Sequence, residues 1–225
     1  MKWVVFLFLS AIGYLHSLSE LPERARNGKA FAKIGQELHT SQASTWNAQI
    51  DNFNSDDKST YEQRYYVNDE YWTGSGPVFF SIGGEGTLTG PPSGYIAQLG
   101  MNYSALLISL EHRFYGKSIP NQNSETENLQ FLTVEQALAD LNAFTAYYKS
   151  TMDPRTTSVK WFVFGGSYPG ALASWYRAAY PDASVGSLSS SGVVNCIVDY
   201  YEFDMQVIFY QTASSRKILL VPHLV

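Results

Sequence analysis

The sequence contains one cysteine, Cys196, which excludes a disulfide framework within the chain and any zinc site built from cysteine pairs. It also has no basic tract: 15 basic and 20 acidic residues give a net charge of −5 at pH 7, which argues against nucleic acid as a partner. No apolar run approaches the roughly 20 residues of a membrane-spanning helix. With 45% hydrophobic residues in a chain of 225, the composition is typical of one globular domain with a sizeable core.

Residues 1–17 have the pattern of a secretory signal peptide. Lys2 supplies an early positive charge, residues 3–9 are apolar, and Ala11 and Gly13 are small residues that suit a cleavage site. An uncleaved membrane anchor is the alternative, but polar residues follow too soon for a span. We therefore expect a secreted protein that is not attached to a membrane after cleavage.

Two further residues depend on that secretory route. Asn102 begins an Asn-Tyr-Ser sequon, so it is a candidate glycosylation site. Cys196 is either a small hydrophobic core residue or a thiol whose partner lies outside this chain, and the sequence does not decide between the two.

Short apolar runs alternate with helical patterns along the rest of the chain. Runs at residues 77–82, 105–110 and 161–164 have the length and continuity of strands buried on both faces. Residues 133–148 place apolar side chains at spacings of three and four, and Thr133 forms a capping-box pair with the glutamine three positions later. Strands and helices in alternation predict an α/β fold with a largely parallel sheet.

Local composition assigns the remaining segments. Residues 60–67 are aromatic and β-prone, and the turn residues after them lead to Tyr71-Trp72, which predicts an antiparallel hairpin across that turn. Residues 21–49 are polar, and we expect a partly helical leader there. Residues 169–180 predict a helix and residues 185–191 a strand of small residues.

The segment Gly165-Gly166-Ser167-Tyr168-Pro169-Gly170 has the pattern of a nucleophile elbow. An apolar strand enters a tight turn with Ser167 at its tip, and a helix follows. Such a turn exposes the serine hydroxyl, while the N–H of the next residue, Tyr168, faces a developing oxyanion. Pro169 replaces the usual second glycine, and proline suits the first turn of a helix because its missing N–H would be unpaired there. The alternative is a glycine-rich turn without catalytic use.

A second glycine-rich turn, Gly83-Gly84-Glu85-Gly86, follows the strand at residues 77–82. An α/β hydrolase places its other oxyanion donor in the loop after the third strand, so we expect the N–H of Gly84 or Glu85 to fill this role. The turn lacks the G-x-G-x-x-G pattern that binds phosphates. No metal or organic cofactor is implied.

Residues 111–118 combine charged and aromatic side chains directly after a buried strand. One interpretation makes them the floor of a substrate pocket. The favoured one has Glu111 and Arg113 forming an ion pair, with His112 hydrogen-bonded to the backbone, because a triad histidine follows the serine in this fold.

Seven motifs in this order resemble the serine carboxypeptidase family that includes lysosomal Pro-X carboxypeptidase, dipeptidyl peptidase II and thymus-specific serine protease. They lie between residues 46 and 206 and are Gln49-Ile50-Asp51-Asn52-Phe53, Gln63-Arg64-Tyr65, Gly76-Pro77-Val78-Phe79, Gly83-Gly84-Glu85-Gly86, residues 111–118, Glu135-Gln136-Ala137-Leu138-Ala139-Asp140 and residues 165–170. The resemblance implies an α/β-hydrolase core, Ser167 as nucleophile, and Tyr168 in the oxyanion hole. It also implies peptide substrates cut near one end, often beside proline, and a secreted or lysosomal location.

The resemblance ends before a complete catalytic triad. In this fold the acid and the histidine follow the serine, and family members carry them after a helical insertion. The candidates downstream of Ser167 are Asp182, Asp199, Asp204 and His223. None is expected to serve, because His223 lies in a terminal run unlike the family and the aspartates precede the positions where the family has its triad acid.

We therefore interpret residues 18–207 as the N-terminal part of a peptidase domain and residues 208–225 as a divergent tail. The chain is expected to be truncated before the cap and last strands, and inactive as it stands. Two alternatives are a secreted lipase or esterase on the same fold and a non-catalytic secreted binding protein. The sequence does not decide between attack at the amino and carboxyl ends of a peptide, or fix an oligomeric state.

Overall fold

The computed structural model describes residues 42–215. The signal-peptide prediction, most of the predicted leader and His223 lie outside these residues. The described chain divides after Val193 into two compact units.

The first unit, within residues 42–193, is built from six strands and three α-helices. The strands are β1 (Ser44–Gln49), β2 (Thr60–Asn68), β3 (Val78–Ile82), β4 (Leu106–Leu110), β5 (Trp161–Gly166) and β6 (Gly186–Ser190). The helices are α1 (Tyr95–Tyr103), α2 (Val134–Tyr147) and α3 (Tyr168–Ala179). Short turns of 3₁₀- or π-helix lie at Pro120–Gln122, Asn128–Phe131, Tyr148–Met152 and Pro154–Thr157. The described part of the second unit contains α4 (Tyr201–Ser215).

The six strands form one sheet in the order β1-β2-β4-β3-β5-β6. Strand β3 lies between β4 and β5 and runs parallel to both, and β6 continues the parallel part beyond β5. Strands β1 and β2 are antiparallel additions at the other edge. The predicted α/β class is confirmed. Because β3, β4 and β5 are parallel, their carboxyl ends lie at the same edge of the sheet.

The hairpin prediction was wrong in its partner. Strand β2 pairs with β1, with Ser44 opposite Tyr65, whereas Tyr71-Trp72 forms no strand. The end of the predicted helical leader is therefore a strand. Trp46 and Ala48 are buried while Thr45 and Asn47 are exposed, and this alternation is the strand signal in the sequence.

One face of the sheet carries the larger core, which is centred on Phe144 of α2. The Phe144 ring is fully buried and contacts Phe80 of β3, Tyr65 of β2 and Trp46 of β1, with ring centroids 5.6, 5.0 and 5.5 Å away. Burial of such aromatic side chains supplies most of the stabilisation from packing. The apolar stripe of α2 thus faces the sheet, as its spacing predicts.

Helix α2 begins with only half of the predicted capping box. The hydroxyl oxygen of Thr133 accepts a hydrogen bond from the N–H of Gln136 at 3.2 Å. The Gln136 amide does not return to Thr133. It donates to Asp51 and accepts from Asn52, so it ties the helix to the segment after β1.

A buried ion pair joins α2 to the loop after β4. Arg113 donates from Nε to Oδ2 of Asp140 at 2.7 Å and from Nη2 to Oδ1 at 2.8 Å. Its Nη1 also donates to the carbonyl of Phe131, and the Tyr61 hydroxyl donates to Asp140. Both charged groups are almost fully buried. Because each has several hydrogen-bond partners, the pair avoids the cost of an unsatisfied charge.

We predict that Asp140→Ala lowers the free energy of unfolding by about 3–5 kcal/mol, because it leaves the Arg113 guanidinium buried without its partner. Urea denaturation followed by circular dichroism measures this loss. Asp153→Ala is the matched control, since it removes the partner of the exposed Arg155 and one cap of a 3₁₀ turn, and should cost no more than about 2 kcal/mol. Similar losses in the two variants would contradict the structural role of the buried pair.

Candidate active site

Ser167 occupies the turn between β5 and α3. It is exposed and has φ 59° and ψ −129°, a conformation that a residue with a side chain rarely adopts. Such a backbone costs on the order of 1–3 kcal/mol and persists only where its surroundings hold it. Here the Ser167 N–H donates to the carbonyl of Ser190 at 2.9 Å, and its carbonyl accepts from Ala171 at 3.1 Å. The turn therefore presents the serine at the protein surface.

Three glycines permit the close packing around this turn. A Cβ atom on Gly165 would overlap the backbone of Pro169, so the strand can pass the helix only with glycine there. A Cβ on Gly170 would lie 3.0 Å from the Cα of Gly192 and from the Ser190 carbonyl. Gly165 and Gly170 belong to the motif recognised in the sequence. Gly192 was missed, because only the folded structure brings it against α3.

The glycine-rich turn after β3 lies beside the same elbow. The N–H of Gly83 donates to the Leu110 carbonyl at 2.9 Å, and a Cβ on Gly84 would meet the ring of Pro169 at 2.8 Å. Glu85 is exposed. Within residues 42–215, the N–H groups of Gly84, Glu85 and Tyr168 take no part in the hydrogen bonds of the protein. The fold thus brings the predicted oxyanion donors and Ser167 to one region.

Glu111 holds the loop that carries Gly84 and Glu85. Its carboxylate accepts from the guanidinium of Arg64, from the N–H of Leu88 at 2.9 Å and from the hydroxyl of Ser118 at 2.6 Å. Burial by itself would raise the pKa of Glu111, but the hydrogen bonds from Arg64 and Ser118 outweigh it and hold the pKa below its usual value. The side chain is therefore an ionised anchor.

The predicted ion pair between Glu111 and Arg113 was wrong. Glu111 pairs with Arg64 of β2, and Arg113 pairs with Asp140 of α2. Two residues that are separated by one position need not share partners. Here one carboxylate secures the loops at the edge of the sheet, and the guanidinium secures the helix.

His112 makes the predicted hydrogen bond to the backbone and one that was not predicted. Its Nδ1 lies 2.7 Å from the Arg113 carbonyl, and its Nε2 lies 3.0 Å from the hydroxyl of Tyr168. Because a carbonyl only accepts, Nδ1 carries the hydrogen and Nε2 accepts from Tyr168. Burial lowers the pKa of His112 and raises the pKa of Tyr168 to about 12, so both groups are neutral near pH 7.

None of the contacts described above involves the other residues singled out from the sequence. Asp182 is exposed in the turn after α3, and Asn102 is exposed in the last turn of α1. Asp199 and Asp204 belong to the second unit, where Asp204 lies in the first turn of α4. Cys196 is exposed rather than a core residue.

A small cavity lies behind the site. Its volume is about 10 Å³, and polar side chains of Gln63, Glu111 and Asp140 contribute to its lining. That is room for about one water molecule, so it is no substrate pocket. Residues 42–215 hold no cluster of three side chains suited to a metal ion. None of the helices in this described range combines the length and apolar character needed to cross a bilayer.

We predict that Gly165→Ala disrupts the elbow, because the new methyl group would overlap the Pro169 backbone, which cannot move like a side chain. The midpoint of urea unfolding should fall by an amount equivalent to at least about 2 kcal/mol. Gly86→Ala is the control, since its methyl group would meet nothing within 4 Å. An equal effect of both substitutions would contradict the described packing.

We also predict an acid-dependent loss of stability through His112. Its folded pKa lies below the ordinary value of 6.5, so protons bind the unfolded chain more readily as the pH falls below that value. The contribution of the neutral imidazole is complete above pH 6.5 and is lost progressively towards the folded pKa. Urea midpoints at about pH 7.5 and about pH 5 should differ more in the wild type than in His112→Gln. Equal differences would show that His112 is not buried in neutral form.

Comparison with known proteins identifies relatives with matching sequence. Residues 48–217 match the family model described as serine carboxypeptidase S28. Human thymus-specific serine protease is 43% identical over 159 residues, which cover 69% of this chain and 30% of that protein. Human lysosomal Pro-X carboxypeptidase is 34% identical over 192 residues, with coverage of 83% and 36%. The chain thus spans about a third of the length of these relatives.

Solved structures that align with part of this chain include an acylaminoacyl peptidase from Pyrococcus horikoshii and Rv0554 from Mycobacterium tuberculosis. The first has a TM-score of 0.46 and 17% identity, and its alignment covers 72% of this chain and 24% of the peptidase chain. The second has a TM-score of 0.47 and 14% identity, with coverage of 80% and 55%. Similarities of this size carry no information about substrate or mechanism.

The family match covers most of the first unit, including both glycine-rich turns and the elbow. The strand order and the strand-turn-helix around Ser167 are those of an α/β-hydrolase core. The chain therefore belongs to the serine carboxypeptidase S28 family of hydrolases.

Proposed function

We propose that the protein carries the nucleophile and the oxyanion hole of a serine-type exopeptidase that works through an acyl-enzyme on Ser167. The observation that supports this most strongly is the exposed serine in a strained turn at the start of α3. Strained backbone of this kind concentrates at functional sites. The unused N–H groups of Tyr168, Gly84 and Glu85 beside it add the second element of an acyl-transfer site.

In the proposed reaction, Oγ of Ser167 attacks the scissile carbonyl carbon while its proton passes to a general base. The carbonyl oxygen becomes an oxyanion and accepts hydrogen bonds from the N–H of Tyr168 and of Gly84 or Glu85. Collapse of this intermediate expels the amine, which takes up the proton, and leaves an ester on Ser167. Water then hydrolyses the ester by the same route.

The general base is not among the described residues in this proposal. His112 is the only histidine within residues 42–215, and both of its ring nitrogens are engaged, by the Arg113 carbonyl and the Tyr168 hydroxyl. A serine hydroxyl without a base is a weak nucleophile at neutral pH. We therefore expect the 225-residue chain alone to be nearly inactive, with base and acid supplied by family sequence outside the described part.

The family supports peptides as the class of substrate. We further expect a preference for proline near the cleaved bond. It rests on the name of the Pro-X carboxypeptidase relative, which is 34% identical to this chain. The lysosomal location in that name and the signal-peptide pattern of residues 1–17 support a secreted or lysosomal route. On such a route, the exposed Asn102 would be available for glycosylation.

A fluorophosphonate probe tests the proposed nucleophile, because it reacts only with an activated hydroxyl. We predict slow labelling of the 225-residue chain. Labelling should be about 10²–10⁴-fold faster when residues 42–207 are fused to the corresponding C-terminal region of human thymus-specific serine protease, which would restore a general base. Intact-mass spectrometry over time measures the rates.

Ser167→Ala in the same fusion is the control and should remove labelling. Circular dichroism establishes that both fusions fold. A folded fusion that reacts no faster than its Ser167→Ala variant would overturn the proposal and favour a non-catalytic role.

A further inference from the structure

The elbow is held in its strained conformation by a small number of contacts. The N–H of Ser167 is bound to Ser190, and Pro169 lies against Gly84. Tyr168 lies between Ser167 and Pro169 in the sequence. Its side chain is half-buried, and its hydroxyl donates to Nε2 of His112 at 3.0 Å. The residue whose N–H faces the proposed oxyanion is therefore tied by its side chain to the loop after β4.

His112 is itself held firmly. Its Nδ1 donates to the Arg113 carbonyl at 2.7 Å, and its ring is packed edge-on against Tyr115 with centroids 5.3 Å apart. The backbone of Arg113 is fixed in turn by the buried pair of its guanidinium with Asp140. The imidazole is thus a rigid acceptor for the Tyr168 hydroxyl rather than a mobile surface group.

We propose that His112 is a positioning residue, which orients Tyr168 through the bond between Nε2 and the tyrosine hydroxyl and so keeps the Tyr168 N–H directed at the oxyanion site. This rests on the proposed function, because the oxyanion belongs to the acyl transfer at Ser167. His112 does not touch the reacting atoms in this role. It neither removes nor donates a proton during the reaction.

The hydrogen bond from the Tyr168 hydroxyl to Nε2 of His112, the His112–Tyr168 tether, requires the neutral imidazole that is protonated on Nδ1. If Nε2 also carried a hydrogen, it could no longer accept from Tyr168. The charged or titratable groups that act on His112 are Asp140, Arg113 and Glu85, and Tyr168 and Tyr115 contact its ring. Because His112 is buried, the neutral form also persists at moderately acidic pH.

Nuclear magnetic resonance tests the tether in the 225-residue protein without relying on activity. The protein is labelled with ¹⁵N, and the two imidazole nitrogens of His112 and the backbone amides of Ser167 and Tyr168 are followed at neutral pH. The variants are Tyr168→Phe, His112→Leu and His112→Gln. Tyr176→Phe is the matched control, because it removes a tyrosine hydroxyl that bonds to Thr145 from the same helix, away from the elbow.

We expect Nδ1 of His112 to be protonated and Nε2 to be a hydrogen-bonded acceptor in the wild type. Tyr168→Phe should shift the Nε2 signal, and His112→Leu should shift both elbow amides. His112→Gln should restore them in part, because its amide oxygen can accept from Tyr168. Protonation on Nε2 in the wild type would overturn the proposal, and so would elbow amides that respond no more to His112→Leu than to Tyr176→Phe.

Labelling of the active fusion then separates this inference from the proposed function. His112→Leu and Tyr168→Phe should each slow fluorophosphonate labelling by about tenfold, with no further slowing in the double variant, because both remove one bond. Full-rate labelling in the His112→Leu fusion would overturn the positioning role while Ser167 stays the nucleophile. Absence of labelling in the parent fusion would overturn the proposed function, and the amide shifts would still report on the tether.

Discussion

The constraint on which the site depends is the passage of a strand directly into a helix at Ser167. At Ser167 the chain adopts a backbone conformation that residues with a side chain rarely adopt. The turn closes only because Gly165 has no Cβ, which would overlap the Pro169 backbone. The same geometry places Ser167 at the surface and leaves the first N–H of α3 without a partner among residues 42–215. The proposed nucleophile and one proposed oxyanion donor are therefore consequences of one turn.

Two buried charges hold the surroundings of that turn. Glu111 binds Arg64 and the backbone of the loop beyond Gly84, and Arg113 binds Asp140 of α2. His112 lies between them in the sequence and reaches Tyr168. Three consecutive residues directly after β4 thus link the antiparallel strand β2, a core helix and the elbow. Satisfied polar networks of this kind favour a single arrangement of the site.

Local patterns in the sequence predicted the alternation of strands and helices, the start of α2 and the elbow, because each depends on residues close together in the chain. The hairpin prediction failed at Tyr71-Trp72 because β-prone aromatic residues do not specify which strand they pair with. The ion pairs of Glu111 and Arg113 join residues 47 and 27 positions apart, and the contact of His112 with Tyr168 joins residues 56 apart. Such partners follow from the order of strands in the sheet, which one sequence does not display.

The most direct test of the central claim is a crystal structure of the fusion protein after Ser167 has reacted with a fluorophosphonate. The phosphoryl oxygen of the adduct stands for the oxyanion. The account predicts that this oxygen accepts hydrogen bonds of about 2.7–3.1 Å from the N–H of Tyr168 and of Gly84 or Glu85. An adduct whose oxygen points to solvent, with these amides turned away from it, would contradict the account.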